Sequence, residues 1–253
     1  MSLRPYVHLD ASLEHAEPGR RAALSEGERH HLYRVLRATD GTELEVADGA
    51  GWSASGRLTQ GEVTLTTAAT YAAVGLPRLH VAQGLPKARK LDEVVRQLTE
   101  LGVDALTAVA TERSVTRLEG AKALKAQARW EAVARAACEQ ARRPRRPRLT
   151  GVVSLDSLLD EVLAADAAIL VGQPHATPLP DALPHVTASE VVLAIGPEGG
   201  WSPAELARLT ADERVHRVGL GPTVLRTEHA AAAALAVASA LLGRWGGAEP
   251  HME

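Results

Sequence analysis

The chain contains no phenylalanine and few aromatic residues of any kind. Aromatic residues make up 3% of its 253 residues, whereas hydrophobic residues make up 45%. The core must therefore be built mainly from leucine, valine, isoleucine and alanine. With 23% charged residues, the composition is that of a globular protein rather than a disordered one. The length allows one large domain or two smaller ones.

Cysteine is nearly absent as well. Cys138 is the only one, so no disulfide can form within the chain, which is typical of a reducing compartment. The N-terminal residues lack the apolar run of a signal peptide. The alanine-rich run from Ala230 to Leu242 is too short and too weakly hydrophobic to span a bilayer. These features predict a cytoplasmic protein with no membrane partner.

Several common enzyme motifs are missing. The sequence has no G-x-G-x-x-G after the first strand of its α/β part, no P-loop and no H-E-x-x-H. A G-x-S-x-G nucleophile elbow does not occur either. His30 and His31 are adjacent but lack further ligands at a suitable spacing, so no metal site is expected. The net charge of −3 argues against general coating of nucleic acid, although a local basic patch remains open.

Two different patterns divide the chain near Ala73. Residues 1–73 contain several short predicted strands, which suggest a small β-barrel: Arg4 to Leu9, Thr42 to Val46, Trp52 to Leu58 and Glu62 to Thr70. Residues 74–253 alternate strands with helices, which predicts an α/β domain with a mostly parallel sheet. Its predicted strands are Leu79 to Leu85, Ala105 to Ala110, Leu149 to Val153, Ala167 to Val171, Val191 to Ile195 and Val215 to Leu220. Its predicted helices are Lys87 to Leu101, about Glu119 to Arg142, Leu155 to Leu163, Pro203 to Leu209 and Glu228 to Leu242.

Two glycine turns follow predicted strands that are successive in the sequence. The first is Gly196 to Gly200, after which Ser202 caps a helix with Pro203 at its first position. The second is Gly219 to Pro222, which leads into a further helix. A strand, a glycine turn and a helix start are typical of ligand sites on open α/β sheets. An ordinary connection that binds nothing is the alternative for either turn alone.

Five arginines lie within seven residues, from Arg142 to Arg148, and Pro144 and Pro147 interrupt them. Prolines favour an extended loop here. Such a loop can present guanidinium groups to phosphate, although a solvated charged loop is the alternative.

Several blocks, in this order, resemble the RsmE family, which are small-subunit rRNA methyltransferases of the SPOUT superfamily. The N-terminal blocks are His31-Leu32 with Val35-Leu36-Arg37, and Asp48-Gly49. The central blocks are Glu100-Leu101-Gly102-Val103, Glu112-Arg113, and Cys138-Glu139-Gln140 with Arg143 and Pro147. The C-terminal blocks are Ile195 to Gly200, Leu220-Gly221-Pro222 and Val224 to Glu228. His229 departs from the small residue that is more usual in the family.

The resemblance implies a PUA-like β-barrel in residues 1–73 that helps to hold RNA. It implies a SPOUT domain with a trefoil knot in residues 74–253, S-adenosylmethionine as the cofactor and a homodimer. The implied product is N3-methyluridine in 16S rRNA of the assembled small subunit. No metal is implied.

The resemblance also assigns residues to these tasks. Cofactor binding falls on Leu170, Val171, Gly172, Ile195, Gly196, Pro197, Glu198, Gly199, Gly200, Leu220, Gly221, Val224, Leu225 and Arg226. From charge and position rather than from the resemblance, RNA binding is predicted for Arg34, Arg37, Arg142, Arg143, Arg145 and Arg146, with solvated side chains as the alternative. A carboxylate, Glu139 or Glu198, would remove the N3 proton of uridine, and Arg226 would stabilise the resulting anion. A structural pairing of Arg226 and Glu228 is the alternative to that catalytic role.

Other functions stay open from the sequence. The chain could be an RNA-binding or assembly factor that has lost its cofactor, or a SPOUT methyltransferase that acts on another RNA such as tRNA. A nucleotide-binding enzyme with an ordinary doubly wound sheet is a more remote reading, because no phosphate fingerprint occurs.

Overall fold

The computed structural model describes residues 4–87 and 90–245, which form two units. The first unit consists of Met1–Ala73 together with Ala134–Arg146, and the second of Val74–Val133 together with Pro147–Glu253. The sequence predicted a single change of domain near Ala73. It did not indicate that the chain returns to the first unit over Ala134–Arg146.

The first unit contains a six-stranded sheet. Its strands are β1 (Tyr6–His8), β2 (Arg21–Ala23), β3 (Glu43–Ala47), β4 (Trp52–Thr59), β5 (Glu62–Leu65) and β6 (Thr70–Tyr71). They are arranged in the order β1-β3-β4-β5-β2, and β6 pairs with β4. The pairs are antiparallel except β1 with β3, which is parallel. The predicted strand from Glu62 to Thr70 is thus two short strands, and β2 was not predicted.

A short helical segment connects β2 to β3. Helix α1 (Glu26–His30) begins at Ser25, whose hydroxyl accepts a hydrogen bond from the Glu28 N–H while the Glu28 carboxylate accepts from the Ser25 N–H. A π-helical turn, His31–Val35, continues from it. Leu32 is fully buried there and joins a core of aliphatic side chains from the sheet, including Leu44, Leu58 and Val63. This aliphatic core is what the lack of phenylalanine predicted.

The second unit contains a sheet of six parallel strands, which confirms the prediction of an α/β fold. The strands are β7 (Arg78–Gly84), β8 (Ala105–Ala110), β9 (Arg148–Ser154), β10 (Ala167–Pro178), β11 (Glu190–Ile195) and β12 (Val215–Gly219). Their order in the sheet is β12-β10-β11-β7-β8-β9, and every neighbouring pair is parallel. The carboxyl ends of all six strands therefore lie at one edge of the sheet, where ligand sites of such folds occur.

Helices follow most of these strands. They are α2 (Lys90–Glu100), α3 (Gly120–Gln140), α4 (Leu155–Leu163), α5 (Leu179–Ala182), α6 (Pro203–Leu209) and α7 (Thr227–Leu241). Helices α4 and α6 have the predicted bounds. Helix α3 ends at Gln140, two residues earlier than predicted, and β10 continues beyond the predicted Val171 to Pro178. The adjacent strands β10 and β11 place Ile169, Val192 and Ala194 in a fully buried core.

Among the described residues, every helix falls short of the length or the apolar character that crossing a membrane requires.

Candidate functional site

A cavity of about 650 Å³ opens at the carboxyl edge of the parallel sheet in the second unit. Three segments form most of its wall, namely Gly172–Pro174 in β10, Ile195–Trp201 after β11, and the stretch from Leu220 into the start of α7. Lys90 at the start of α2 and Arg113 after β8 complete it. The volume falls within the range of ligand and cofactor pockets.

The turn after β11 is closely folded. The Gly200 N–H donates to the carbonyl oxygen of Pro197 at 2.8 Å. A Cβ atom on Gly196 would lie 3.2 Å from the Gly200 backbone, so even a methyl group would require the turn to shift by a few tenths of an ångström. The three glycines of the turn have no side chains, so at these positions only backbone groups can line the cavity wall.

The start of α6 holds the far end of this turn. The Ser202 hydroxyl accepts from the Glu205 N–H at 3.1 Å, and the Glu205 carboxylate accepts from the Ser202 N–H at 2.8 Å. The other oxygen of Glu205 accepts from the Glu112 N–H at 2.8 Å. Since Glu112 follows β8, one nearly buried carboxylate fixes the cavity segments after β8 and β11 against each other.

Lys90 bridges two carboxylates at the cavity. Its Nζ lies 3.2 Å from Glu198 Oε1 and 3.2 Å from Glu228 Oε1. The Glu198 carboxylate also accepts from the Lys87 N–H at 3.2 Å. Burial alone would raise the pKa of Glu198, but the backbone N–H donors and Lys90 outweigh it and lower that pKa. The same balance of burial against hydrogen bonds lowers the pKa of Glu228, while the hydrogen bonds to Glu198 and Glu228 raise the pKa of Lys90.

Arg226 lies immediately before α7, on the cavity wall. Its side chain is exposed, and it forms no hydrogen bond or ion pair with residues 4–87 or 90–245. The sequence alternative of a structural pair between Arg226 and Glu228 is not what the structure shows, because Glu228 pairs with Lys90. The Arg226 guanidinium is thus available to a ligand in the cavity.

The cavity gathers most of the predicted cofactor-binding residues. Those on its wall are Gly172, Ile195, Gly196, Pro197, Glu198, Gly199, Gly200, Leu220, Gly221, Val224, Leu225 and Arg226. Leu170 and Val171 do not contribute to the wall, since both are fully buried within β10. Wall residues that the sequence reasoning missed are Lys90, Arg113, Gln173, Pro174, Trp201, Thr227 and Ala230. Lys90 and Arg113 both follow strands of the parallel sheet, and this position in the sequence could have predicted that they lie at the carboxyl edge of the sheet.

Glu139, the other predicted general base, belongs to the first unit. One of its carboxylate oxygens accepts from the His8 N–H at 3.0 Å and from Arg135 Nε at 3.5 Å. Arg135 also donates to the His8 carbonyl oxygen and forms ion pairs with Asp10 and Glu28. Glu139 therefore takes part in a polar network that joins the C-terminal turns of α3 to β1.

Three of the predicted RNA-binding arginines have partners within the first unit. Arg142 forms an ion pair with Glu45 at 2.9 Å, and its guanidinium lies 5.8 Å from the centre of the Tyr6 ring. Arg145 donates to the Ala72 carbonyl oxygen, and Arg146 donates to that of Asp48. Arg143 is half-buried, and its carbonyl oxygen lies 2.8 Å from His8 Nε2. These contacts attach the arginine loop to the sheet.

Arg34 and Arg37 are different, because both side chains are exposed at the end of the π-helical turn. Arg37 has a positive φ of 54°. Among the described residues no three histidine, cysteine or carboxylate side chains come together as a metal site would require.

Comparison with known proteins places this architecture among RNA methyltransferases. Residues 75–239 match a family model described as an RNA methyltransferase domain. The chain is 36% identical over 236 residues to the ribosomal RNA small subunit methyltransferase E of Mycobacterium bovis, which covers 90% of each chain. It is 32% identical to the Bacillus subtilis protein of the same name over 84% of this chain and 87% of that one.

A solved structure agrees with these sequence matches. The ribosomal RNA small subunit methyltransferase E of Neisseria gonorrhoeae, crystallised with S-adenosylmethionine, superposes with a TM-score of 0.82 at 27% identity. The match covers 94% of this chain and 98% of that one. The chain therefore belongs to the RsmE family, the family of ribosomal RNA small subunit methyltransferase E.

Proposed function

We propose that the chain transfers a methyl group from S-adenosylmethionine to N3 of a uridine in 16S rRNA of the small ribosomal subunit. The observation that carries this proposal is the convergence of three strand-end segments on one cavity whose wall includes the unpaired Arg226. Family membership supports methylation of small-subunit rRNA. The N3 position and the assembled subunit as substrate follow from the resemblance alone.

The cavity suits S-adenosylmethionine in size and in lining. Its wall combines the apolar side chains of Ile195, Leu220 and Leu225 with backbone groups of the glycine turns. Apolar side chains can enclose a purine ring, and backbone N–H and carbonyl groups can recognise its edge and a ribose. When bound, the cofactor supplies an electrophilic methyl group. The protein supplies position, which accounts for much of the rate of such a transfer.

The residues on the wall fit the two remaining tasks. Uridine N3 carries a proton at neutral pH, and this proton must leave before nitrogen can act as a nucleophile. We assign its removal to Glu198, which lies on the cavity wall and is ionised at neutral pH, rather than to Glu139, which is not among the residues that line the cavity. Arg226 then stabilises the negative charge on the uracil ring.

The first unit is the proposed RNA-holding module, with a PUA-like barrel as its expected form. Arg34 and Arg37 are the arginines whose exposed side chains can reach phosphate without breaking an internal contact. For Arg142, Arg145 and Arg146, phosphate binding would compete with the contacts that hold their loop. The trefoil knot, the homodimer and a cytoplasmic place of action belong to the same proposal, and each rests on the family.

Transfer of a labelled methyl group tests the function. The purified chain is incubated with methyl-labelled S-adenosylmethionine and with small subunits from cells that lack this modification. The rRNA is then digested and its nucleosides are identified by mass spectrometry. Labelled 3-methyluridine in 16S rRNA is the expected result, and free 16S rRNA in a parallel reaction should accept less label.

Other outcomes of the same assay point to other functions. Label in tRNA but not in subunits would keep the methyltransferase and overturn the substrate. No transfer to any RNA, with no binding of the cofactor, would favour an RNA-binding factor that retains the fold.

A further inference from the structure

A fully buried amide side chain lies next to the Gly196–Gly200 turn of the cavity. Gln83 is the penultimate residue of β7, and its side chain is inaccessible to solvent. Its Nε2 donates to the Thr227 hydroxyl oxygen at 2.8 Å and to the Gly84 carbonyl oxygen at 2.9 Å. The Ile195 carbonyl oxygen lies 3.4 Å from the same nitrogen. These acceptors fix the orientation of the amide, because its oxygen could not replace the nitrogen beside two carbonyl groups.

Thr227 connects Gln83 to the Gly196–Gly200 turn. Its hydroxyl donates to the Gly196 carbonyl oxygen at 2.6 Å. A hydroxyl has one hydrogen, so the hydrogen bond with Gln83 must be one that Thr227 accepts. The resulting chain runs from Gln83 through Thr227 to Gly196 and joins the end of β7, the first residue of α7 and the start of the glycine turn.

Gly84 provides a second contact between β7 and the same turn. A Cβ atom at this position would lie 2.6 Å from Pro197 Cδ and 2.8 Å from the Pro197 nitrogen. Any other residue would therefore push the turn away from the sheet. The turn thus rests directly on the backbone of β7, and the hydrogen bonds of Gln83 and Thr227 lie beside this contact.

This polar chain has a cost that an apolar side chain would avoid. Gln83 Oε1 is buried and has no hydrogen-bond partner among the described residues. A buried acceptor without a partner is unfavourable, and a leucine or methionine could fill similar space without it. Hydrogen bonds in such dry surroundings are, however, strong and directional. We therefore expect Gln83 to contribute by fixing the positions of Thr227 and the Gly84 carbonyl group, rather than by stabilising the fold.

We propose that Gln83 and Thr227 are positioning residues that hold the Gly196–Gly200 turn in register with the start of α7, where Arg226 lies. The turn and the start of α7, which this link connects, both belong to the cavity wall. Loss of the link would let the turn and Arg226 move independently, which weakens cofactor binding and displaces the guanidinium from the reacting base. This inference rests on the proposed function.

Replacement of Thr227 by valine and by serine tests the inference. Valine keeps the shape of threonine but removes the hydroxyl, whereas serine keeps the hydroxyl and removes a methyl group. We expect Thr227→Val to raise the dissociation constant for S-adenosylmethionine about tenfold, as for the loss of one buried hydrogen bond, and to lower kcat. Thr227→Ser should stay within about threefold of the unsubstituted chain. The dissociation constant is measured by calorimetry on the full chain, and kcat by methyl transfer.

Thr107→Val is the matched control. Thr107 is fully buried in β8, its hydroxyl lies 2.8 Å from His80 Nε2, and it is not on the cavity wall. This variant should lose thermal stability, as Thr227→Val does, without a change in cofactor affinity. Gln83→Leu provides a second removal of the link, and circular dichroism identifies which variants are folded at the temperature of the titration.

Three results would overturn the inference alone: equal affinity of Thr227→Val and the unsubstituted chain, failure of serine to restore affinity, or an equal loss of affinity in Thr107→Val. Failure of the unsubstituted chain to bind S-adenosylmethionine would instead overturn the proposed function, and this inference with it.

Discussion

The charged side chains at the cavity differ in whether they have a hydrogen-bond or ion-pair partner within the protein. Lys90 forms ion pairs with both Glu198 and Glu228. Arg113 donates to the Gly199 carbonyl oxygen at 3.0 Å. Arg226 alone among the wall's charged side chains has no partner in the described parts of the chain. A charge without a partner adds little to folding, so its effect should be seen in binding or catalysis.

Arg226→Ala is therefore expected to lower kcat/KM by about 10²–10³, the usual effect of losing one group that stabilises a developing anion. The thermal midpoint should change little, because no internal contact is lost. Arg217→Ala is the control, since Arg217 is exposed on β12 outside the cavity. Near-normal turnover of Arg226→Ala would remove Arg226 from the mechanism.

The charges around Lys90 predict a specific dependence of stability on pH. The pKa values of Glu198 and Glu228 are lowered by folding from an ordinary value of 4.5. A carboxyl group of this kind stabilises the folded state above its unfolded pKa, and the contribution disappears as the pH falls through its folded pKa. The raised pKa of Lys90 keeps its charge throughout this range.

Lys90→Met should consequently be less stable than the unsubstituted chain at neutral pH, and the difference should shrink as the pH falls below about 4. Urea denaturation at a series of pH values measures this. Lys125→Met, at an exposed position of α3, should show no such dependence. A difference that stays constant down to acid pH would mean that Lys90 acts through packing rather than charge.

The reactivity of Cys138 measures whether Ala134–Arg146 stays packed in the first unit. Its thiol is fully buried and lies 3.6 Å from the Arg145 carbonyl oxygen, and burial raises its pKa to about 11. At mildly alkaline pH the thiol is thus both inaccessible and protonated. A disulfide reagent should leave the native chain unlabelled and label it stoichiometrically in denaturing guanidinium chloride. Rapid labelling of the native chain would show that Ala134–Arg146 detaches readily.

At the scale of single elements, the starts of the helices around the cavity follow from short sequence patterns. Ser202, Pro203 and Glu205 predicted the start of α6, because a capping box satisfies N–H groups that the first turn cannot. The sequence did not reveal that Glu205 also holds the Glu112 N–H, 93 residues earlier in the chain. Capping patterns are local, whereas this contact depends on how β8 and β11 are brought together.

Glu205→Ala should therefore destabilise the chain by more than the loss of a cap. It leaves the Ser202 and Glu112 N–H groups without their acceptor, which should lower the free energy of unfolding by about 2–4 kcal/mol. Ser154→Ala, at the exposed cap of α4, should cost about 1 kcal/mol. Chemical denaturation measures both values. Equal effects of the two substitutions would show that the bond to Glu112 adds nothing.

At the scale of the whole molecule, strand and helix periodicity was enough to predict an α/β fold with a parallel sheet. It could not predict the strand order or the membership of Ala134–Arg146 in the first unit. That membership depends on partners distant in sequence, such as Arg135 with Glu28 and Arg142 with Glu45. In the sequence these residues resemble any exposed charges. That the arginine loop binds phosphate stays a prediction.

For the cavity, too, the sequence revealed local features but not contacts between distant residues. Its glycine turns were evident, because glycine and proline after an apolar strand are a local signal. Lys90 and Thr227 were missed, since one contributes a bridge between two distant carboxylates and the other a single hydroxyl to a buried chain of hydrogen bonds. Both contacts exist only once α2, β7, β11 and α7 have come together.

Calorimetric titration of the full chain with S-adenosylmethionine tests most directly whether this cavity is the cofactor site. We expect one molecule to bind per chain, S-adenosylhomocysteine to compete with it, and Gly196→Val to abolish binding, because its Cβ would lie 3.2 Å from the Gly200 backbone and its two methyl groups would displace the turn further. No binding by the unsubstituted chain, or full binding by a folded Gly196→Val chain, would contradict the assignment of the cavity.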